Sequence, residues 1–149
     1  MTLTPAPTAA TPVTDAVLYA RVQHFYARQM QALDNGDLVA YADSFTEDGS
    51  FRHTPDAPAA KGRASILAEL RAFSERFSGP VRRRHHFNQI VLDALPDGGF
   101  TTAVYALIVR IAPGERPEIW PHCVVRDVLA VDGDTVAVRS RTIDYDERV

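Results

Sequence analysis

The chain has 149 residues, 46% of them hydrophobic, which suffices for the core of one domain. Its 19 acidic and 16 basic side chains give a formal net charge of −3, which argues against non-specific nucleic-acid binding, since that rests on excess Lys and Arg near phosphates. The single cysteine, Cys123, can neither close an internal disulfide nor build a cysteine-rich zinc site, and no run of about 18 apolar residues offers a membrane span.

Thr2 to Pro12 is rich in Thr, Pro and Ala and lacks the charged and apolar regions of a secretory leader. It reads as a flexible tail (1–12) before a single domain (13–149), and the protein as cytoplasmic. Thr14 or Asp15 caps a helix running to Asp34, with Leu18, Val22, Phe25, Gln29 and Leu33 on one face. Gln29 is the polar member of that stripe, and either bonds neighbouring backbone or lines a wet pocket. Tyr26, at the stripe's edge, packs in the core or points its hydroxyl into a cavity, whereas His24 lies off the stripe on the surface. Asn35-Gly36 stops the helix and Asp37 caps a second one, Leu38 to Phe45. Glu47-Asp48-Gly49 turns into a short strand, Ser50 to His53, and Thr54 to Ala60 reads as loop. A third helix spans Arg63 to Phe77, with Ile66, Leu70, Phe73 and Phe77 facing the core, and Gly79-Pro80 ends it. Strands follow over Val81 to Leu95, Phe100 to Ala112, Glu118 to Val131 and Thr135 to Tyr145. Helices first and a long antiparallel sheet after them predict an α+β domain, the sheet curling round its helices and leaving a cavity at the open end.

The segment Ala32-Leu33-Asp34-Asn35-Gly36-Asp37-Leu38, followed by Ser44-Phe45-Thr46-Glu47-Asp48-Gly49-Ser50-Phe51, resembles the helix-turn-helix-strand of ketosteroid isomerase. The element order is similar to that of the whole NTF2-like superfamily, which includes scytalone dehydratase and the SnoaL-like polyketide cyclases. The motif resemblance covers residues 29–54. It implies an NTF2-like cone, with three N-terminal helices packed in a curved, mostly antiparallel sheet. By resemblance, His53 falls where the isomerase holds its general-base aspartate and where the dehydratase places a pocket tyrosine. Asp34 falls on the dehydratase's pocket aspartate, and His86-Phe87 resembles its catalytic His-Phe. Gln29 replaces the isomerase's oxyanion-hole tyrosine, and an amide donates more weakly than a phenol, which argues against isomerisation by that apparatus.

Histidine, with an unperturbed pKa of about 6.5, takes and returns protons near neutrality. His53 and His86, with Asp34 orienting one ring, form a candidate acid–base set that removes a proton α to a carbonyl and protonates a leaving hydroxyl. The same chemistry serves ring closure. His85 and His86 point to opposite faces of their strand, so one faces the cavity, and the resemblance favours His86. Asn88 shares the face of His86 and either donates to a substrate carbonyl or bonds water at the sheet edge; a bulge between the two would break this parity. Tyr105 is a pocket phenol or a half-buried packing residue, Trp120 a lid over a flat ring or a core aromatic, and His122 a third proton carrier. Arg126, Asp127, Arg139, Arg141 and Asp144 read as cross-strand ion pairs on the outer face, and Arg82-Arg83-Arg84 as a solvated strand start. No His-x-His, Glu-x-x-His or Cys-x-x-Cys pair and no Gly-rich phosphate loop occurs, so neither a metal nor another cofactor is expected. The reading is thus a cofactor-independent dehydratase or cyclase acting on a small aromatic, polyketide-like intermediate, with a homodimer expected through the sheet. The alternatives are a non-catalytic small-molecule-binding module and a structural partner resembling the β subunit of a ring-hydroxylating dioxygenase.

Overall fold

The computed structural model describes residues 10–146, with the side chain of Trp120 outside that description. Among the described residues the order is β1 (Thr11–Pro12), α1 (Ala16–Asp34), α2 (Leu38–Asp43), β2 (Phe45–Arg52), β3 (Ala60–Lys61), α3 (Arg63–Arg76), β4 (Arg82–Ala94), β5 (Phe100–Ile111), β6 (Glu118–Asp132) and β7 (Thr135–Tyr145). The strands form one sheet in the order β1-β4-β5-β6-β7-β2-β3. Its pairings are antiparallel except β2 with β7, which run parallel. The fold is the expected α+β cone.

Local chemistry sets the helix ends. The Asp15 carboxylate accepts from the main-chain N–H groups of Val17 and Leu18 and so begins α1. Gly36, at φ 78°, supplies the left-handed turn after it. Asp37 caps α2 through the N–H of Ala40. The residues that α1 buries are Val22, Tyr26, Gln29 and Met30, so the core-facing stripe is centred on Tyr26 rather than on Phe25.

Three elements depart from the sequence reading. Thr11 and Pro12, read as tail, pair with Ala94 and Asp93 at the start of the sheet; residues 1–9 of that tail lie outside the described residues. Glu47-Asp48-Gly49 lies inside β2, which begins at Phe45 and shortens α2 to Asp43. Ala60–Lys61 of the expected loop forms β3 against Ser50 and Phe51.

Single-residue register shifts bend the sheet. Asn88 pairs with Tyr105, but the next β4 partner is Val91 with Ala103, leaving one extra residue on β4. Gln89, at φ 55°, sits in that interval. On β7, Val138 pairs with Leu129 and Ser140 with Val128, which inserts Arg139 as the extra residue. Each bulge reverses the inside–outside alternation beyond it and increases the local twist. The concave face carries Val104, Val125, Leu129 and Val138, all fully buried against Val22, Phe45 and Ile66.

Candidate active site

The centre of the cone is polar. Thr102, Asp127 and Arg141 stand opposite one another on β5, β6 and β7, on the concave face. The Arg141 guanidinium donates to both Asp127 oxygens, Nε to Oδ1 at 2.8 Å and Nη2 to Oδ2 at 2.7 Å. Its Nη1 donates to the Tyr41 hydroxyl at 2.8 Å, and Nη2 also donates to Gln29 Oε1 at 2.7 Å. Gln29 in turn donates to Ser44 Oγ at 2.6 Å. The Tyr26 hydroxyl donates to Asp127 Oδ2 at 2.8 Å; its one proton is then used, so Thr102 is the donor in the 2.6 Å contact between the two hydroxyls. Arg141 also lies over the rings of Phe45 and Phe87, at 5.6 and 5.5 Å from their centroids. Its side chain is 1% exposed and that of Asp127 is 0% exposed, so this is an internal ion pair with further hydrogen bonds from three helical residues, Tyr26, Gln29 and Tyr41. Burial works against the guanidinium's charge, but the Asp127 carboxylate and the Tyr41 phenol more than offset it and raise the Arg141 pKa. Burial raises Tyr26 well above the ordinary phenol and raises Tyr41 too, so both stay protonated donors.

A second polar cluster lies between the end of α1 and β4, around His85. On β4, Arg83, His85 and Phe87 alternate toward the concave face. Asp34, the last residue of α1, meets His85 there. Asp34 Oδ1 is 2.6 Å from His85 Nδ1, and Oδ2 accepts the His85 main-chain N–H at 3.1 Å. The carboxylate therefore fixes both the ring and the strand that carries it. In the neutral ring that gives Nδ1–H to Asp34, the lone pair is on Nε2. Their side chains are 18% (His85) and 6% (Asp34) exposed, shielded yet reachable from a groove of about 550 Å³ between α1 and β4. His53 follows β2 and packs among aromatic rings, 5.6 Å from Phe51, 5.5 Å from Phe73 and 6.3 Å from Tyr145, centroid to centroid. Burial lowers its pKa below the ordinary value of 6.5, and His85, whenever its own ring is protonated, and Arg76 lower it further, so it is neutral at neutral pH. Tyr145 faces the same end from β7, its phenol pushed up to about 12, chiefly by burial. Its cross-strand partner Cys123 is a buried thiol pushed up to about 11 by burial and by Asp146, which keeps it out of thiolate chemistry.

The sequence-derived site is thus partly reassigned. Asp34 lines the groove beside His85, and His53 sits among the rings of Phe51, Phe73 and Tyr145. His86 is exposed, whereas the half-buried His85 meets Asp34; both histidines line the groove between α1 and β4. Asn88 is likewise exposed, in register with Tyr105, which is 52% exposed, and lines the same groove. His122 is exposed and ion-paired with Asp146, its ring against Tyr105. The side chain of Trp120 lies outside the described residues. Gln29 and Tyr26 are fully buried parts of the internal ion-pair network. Arg126 with Asp144 does form an outer-face pair at 2.8 Å, but Asp127 and Arg141 are inside the cone, not on its surface. Sequence reasoning kept His85 as the alternative to His86 and missed Tyr145 and the Arg141 centre. Asp127 did carry a signal, since it is in phase with the buried Cys123, Val125 and Leu129, but the equally apolar Val124 and Val128 masked it. Among the described residues no three His, Cys, Asp or Glu side chains converge as metal ligands, and no helix is long and apolar enough to cross a membrane.

A helix-lined cone of this topology, closed by a curved mixed sheet, defines a protein of the NTF2-like, cystatin-like fold. The model of the SnoaL-like domain family matches residues 15–142, and the chain belongs to that family. It is 42% identical to ActVI-ORFA from Streptomyces coelicolor over 88% of this chain and 98% of that one, with a TM-score of 0.82. It is also 42% identical to a Catenulispora acidiphila protein solved in complex with S-DNPA, over 88% of this chain and 95% of that one, at a TM-score of 0.80. Aln2 from a Streptomyces species is 31% identical over 89% and 94% of the two chains, at 0.81. No curated protein sequence matches the chain.

Proposed function

We propose that this SnoaL-like protein is a cofactor-independent dehydratase or cyclase, acting on an aromatic, polyketide-like intermediate through His85, Asp34 and His53. The observation that carries the reading is the 2.6 Å contact between Asp34 Oδ1 and His85 Nδ1. It leaves Nε2 as a base whose ring is held in one orientation, with a carboxylate behind it to stabilise the imidazolium that forms. In dehydration, Nε2 takes the proton α to a substrate carbonyl and the imidazolium returns it to the β-hydroxyl, which leaves as water. In cyclisation the same carbanion attacks a second carbonyl, and the proton goes to the new alkoxide. Neutral His53 presents an N–H to the carbonyl oxygen that gathers charge. That the Catenulispora relative was solved in complex with S-DNPA supports a small-molecule ligand here too. The reading includes a homodimer through the convex sheet face, supported by exposed Val91, Tyr105 and Ile119 there.

The test is turnover of a β-hydroxyketone fused to an aromatic ring, followed by the absorbance of the conjugated product. His85→Ala is expected to lower kcat by about 10²- to 10⁴-fold, and His86→Ala by less than about tenfold. An active His85→Ala protein ends this reading, and loss confined to His86→Ala restores the assignment drawn from sequence.

A further inference from the structure

The outer edge of β4 has no strand beside it for most of its length. In the sheet order β4 is flanked by β5 and β1, and β1 reaches only Asp93 and Ala94. Val13 adds one bond, from its N–H to the Leu92 carbonyl. Among the described residues the stretch from Arg82 to Ile90 therefore faces α1 rather than another strand. α1 bonds two groups on it: the His85 N–H donates to Asp34, and the Ile90 carbonyl accepts from the Tyr19 hydroxyl at 3.0 Å. The outward His85 N–H fixes the phase of the ladder, because antiparallel pairing sends the main-chain groups of alternate residues to opposite sides. Phe87, still in unbroken register with Ala106, turns its N–H and C=O to the same open side. The groove of about 550 Å³ runs along that side, with Gln23, Ala27 and Gln31 of α1 on its other wall.

The side chains along this edge are cationic, in a chain of net charge −3. Arg82, Arg84 and His86 alternate on one face, while Arg83 turns to the other, over the Phe73 and Phe77 rings. Across β5 the three meet Ile111, Val109 and Leu107, which offer no charge. Among the described residues no ion pair holds Arg82, Arg84 or His86. A second copy of this edge laid against it would set cation against cation, which is unfavourable, and charge on a free edge guards against such pairing. The same charges attract an anionic strand.

We infer that the β4 edge is a docking surface for an extended acidic segment of a partner protein, which adds to the sheet beside β4. Its main chain bonds the outward groups of Phe87, and carboxylates at alternate positions meet Arg82, Arg84 and His86. The side chains between them turn into the groove, over Tyr26, Met30 and Phe87. His85 opens on the same groove, so a docked segment covers the ring that the catalytic reading uses. The docking itself stands without that reading.

The probe is the capped hexapeptide Glu-Val-Glu-Val-Glu-Val against Gln-Val-Gln-Val-Gln-Val, followed by NMR titration and amide hydrogen exchange. Wild-type protein is expected to bind the acidic peptide about tenfold or more tightly than the neutral one. The preference should shrink as salt is raised, and vanish in Arg82→Gln combined with Arg84→Gln. Exchange at the Phe87 amide should slow on binding, while that at His86, whose N–H faces β5, should not change. N-methylation of one alternate set of peptide amides should abolish binding, and of the other set should not. Equal affinity for the two peptides, binding of neither, or binding that leaves Phe87 exchange unchanged overturns the inference, and the wild-type comparison stands even where the double variant fails to fold. Phe87 protection that grows with protein concentration in the absence of peptide puts a second copy on the edge and overturns it too. An active His85→Ala protein that still prefers the acidic peptide sinks the catalytic reading and leaves the docking surface standing; an inactive one, where the wild-type comparison fails, does the reverse.

Discussion

Asp34 binds His85 twice, through the ring and through the main chain, and one substitution separates the two effects. In Asp34→Asn the amide oxygen can still accept the His85 N–H, but the charge behind the imidazole is gone and the ring loses its fixed tautomer. We expect kcat to fall by about 10²-fold or more with KM little changed, seen in steady-state kinetics. His53 makes a prediction about stability. Its pKa is lowered in the folded protein, first by burial, so the unfolded chain binds the proton more readily. Stability from this group is present above about pH 6.5 and is lost as the pH falls through the lower, folded value. His53→Gln should therefore flatten the dependence of the urea midpoint on pH in that interval, while leaving the midpoint above neutrality less affected. An unchanged slope would show that another group sets the acid limb.

The bulges decide which side chains reach the interior. Gln89 holds φ 55°, a conformation that costs a non-glycine residue little when it is polar and more when it is β-branched. Gln89→Gly is expected to be neutral or stabilising by up to about 1 kcal/mol, and Gln89→Val destabilising by about 1–3 kcal/mol, both read from urea unfolding. Gln89→Gly keeps the bulge and should keep activity as well. The same residue explains what was legible in the sequence. Helix periodicity and the turn at Asn35-Gly36 were enough to fix α1 and to put Asp34 at its end, and the strand–turn pattern located His53 to within the right segment. Counting alternation back from buried Leu92 would send Asn88 and His86 inward, because nothing in Asn88-Gln89-Ile90 announces an extra residue. On β7 the buried Val136 and Val138 predict an outward Arg141 by the same count, and the shift at Arg139 turns it inward. Parity is a local rule; bulges depend on pairing with another strand, which a single segment does not encode.

The internal ion pair joins α1, α2 and three strands into one unit. Arg141→Met leaves the Asp127 carboxylate buried without its counter-charge, held by the Tyr26 hydroxyl alone, and takes the donor from the Gln29 carbonyl, and we expect a loss of about 3–5 kcal/mol in urea unfolding. Arg141→Met combined with Asp127→Leu removes both charges and should recover much of that loss, because matched apolar side chains also fill such sites. A double variant no better than the single one would locate the cost in shape rather than in charge. The order of the sheet gives this unit a kinetic consequence. Arg141 finds Tyr41 100 positions and Gln29 112 positions earlier in the chain, and β2 has β7 as its parallel neighbour. On the ribosome, the helices and β2 therefore emerge with their polar groups in water and one edge bare, waiting through the synthesis of four long strands. Such distant closures are slow. The nascent chain is most vulnerable to misassociation just before its seventh strand arrives, and a chaperone that shelters the β2 edge over that interval would raise yield without altering the finished protein.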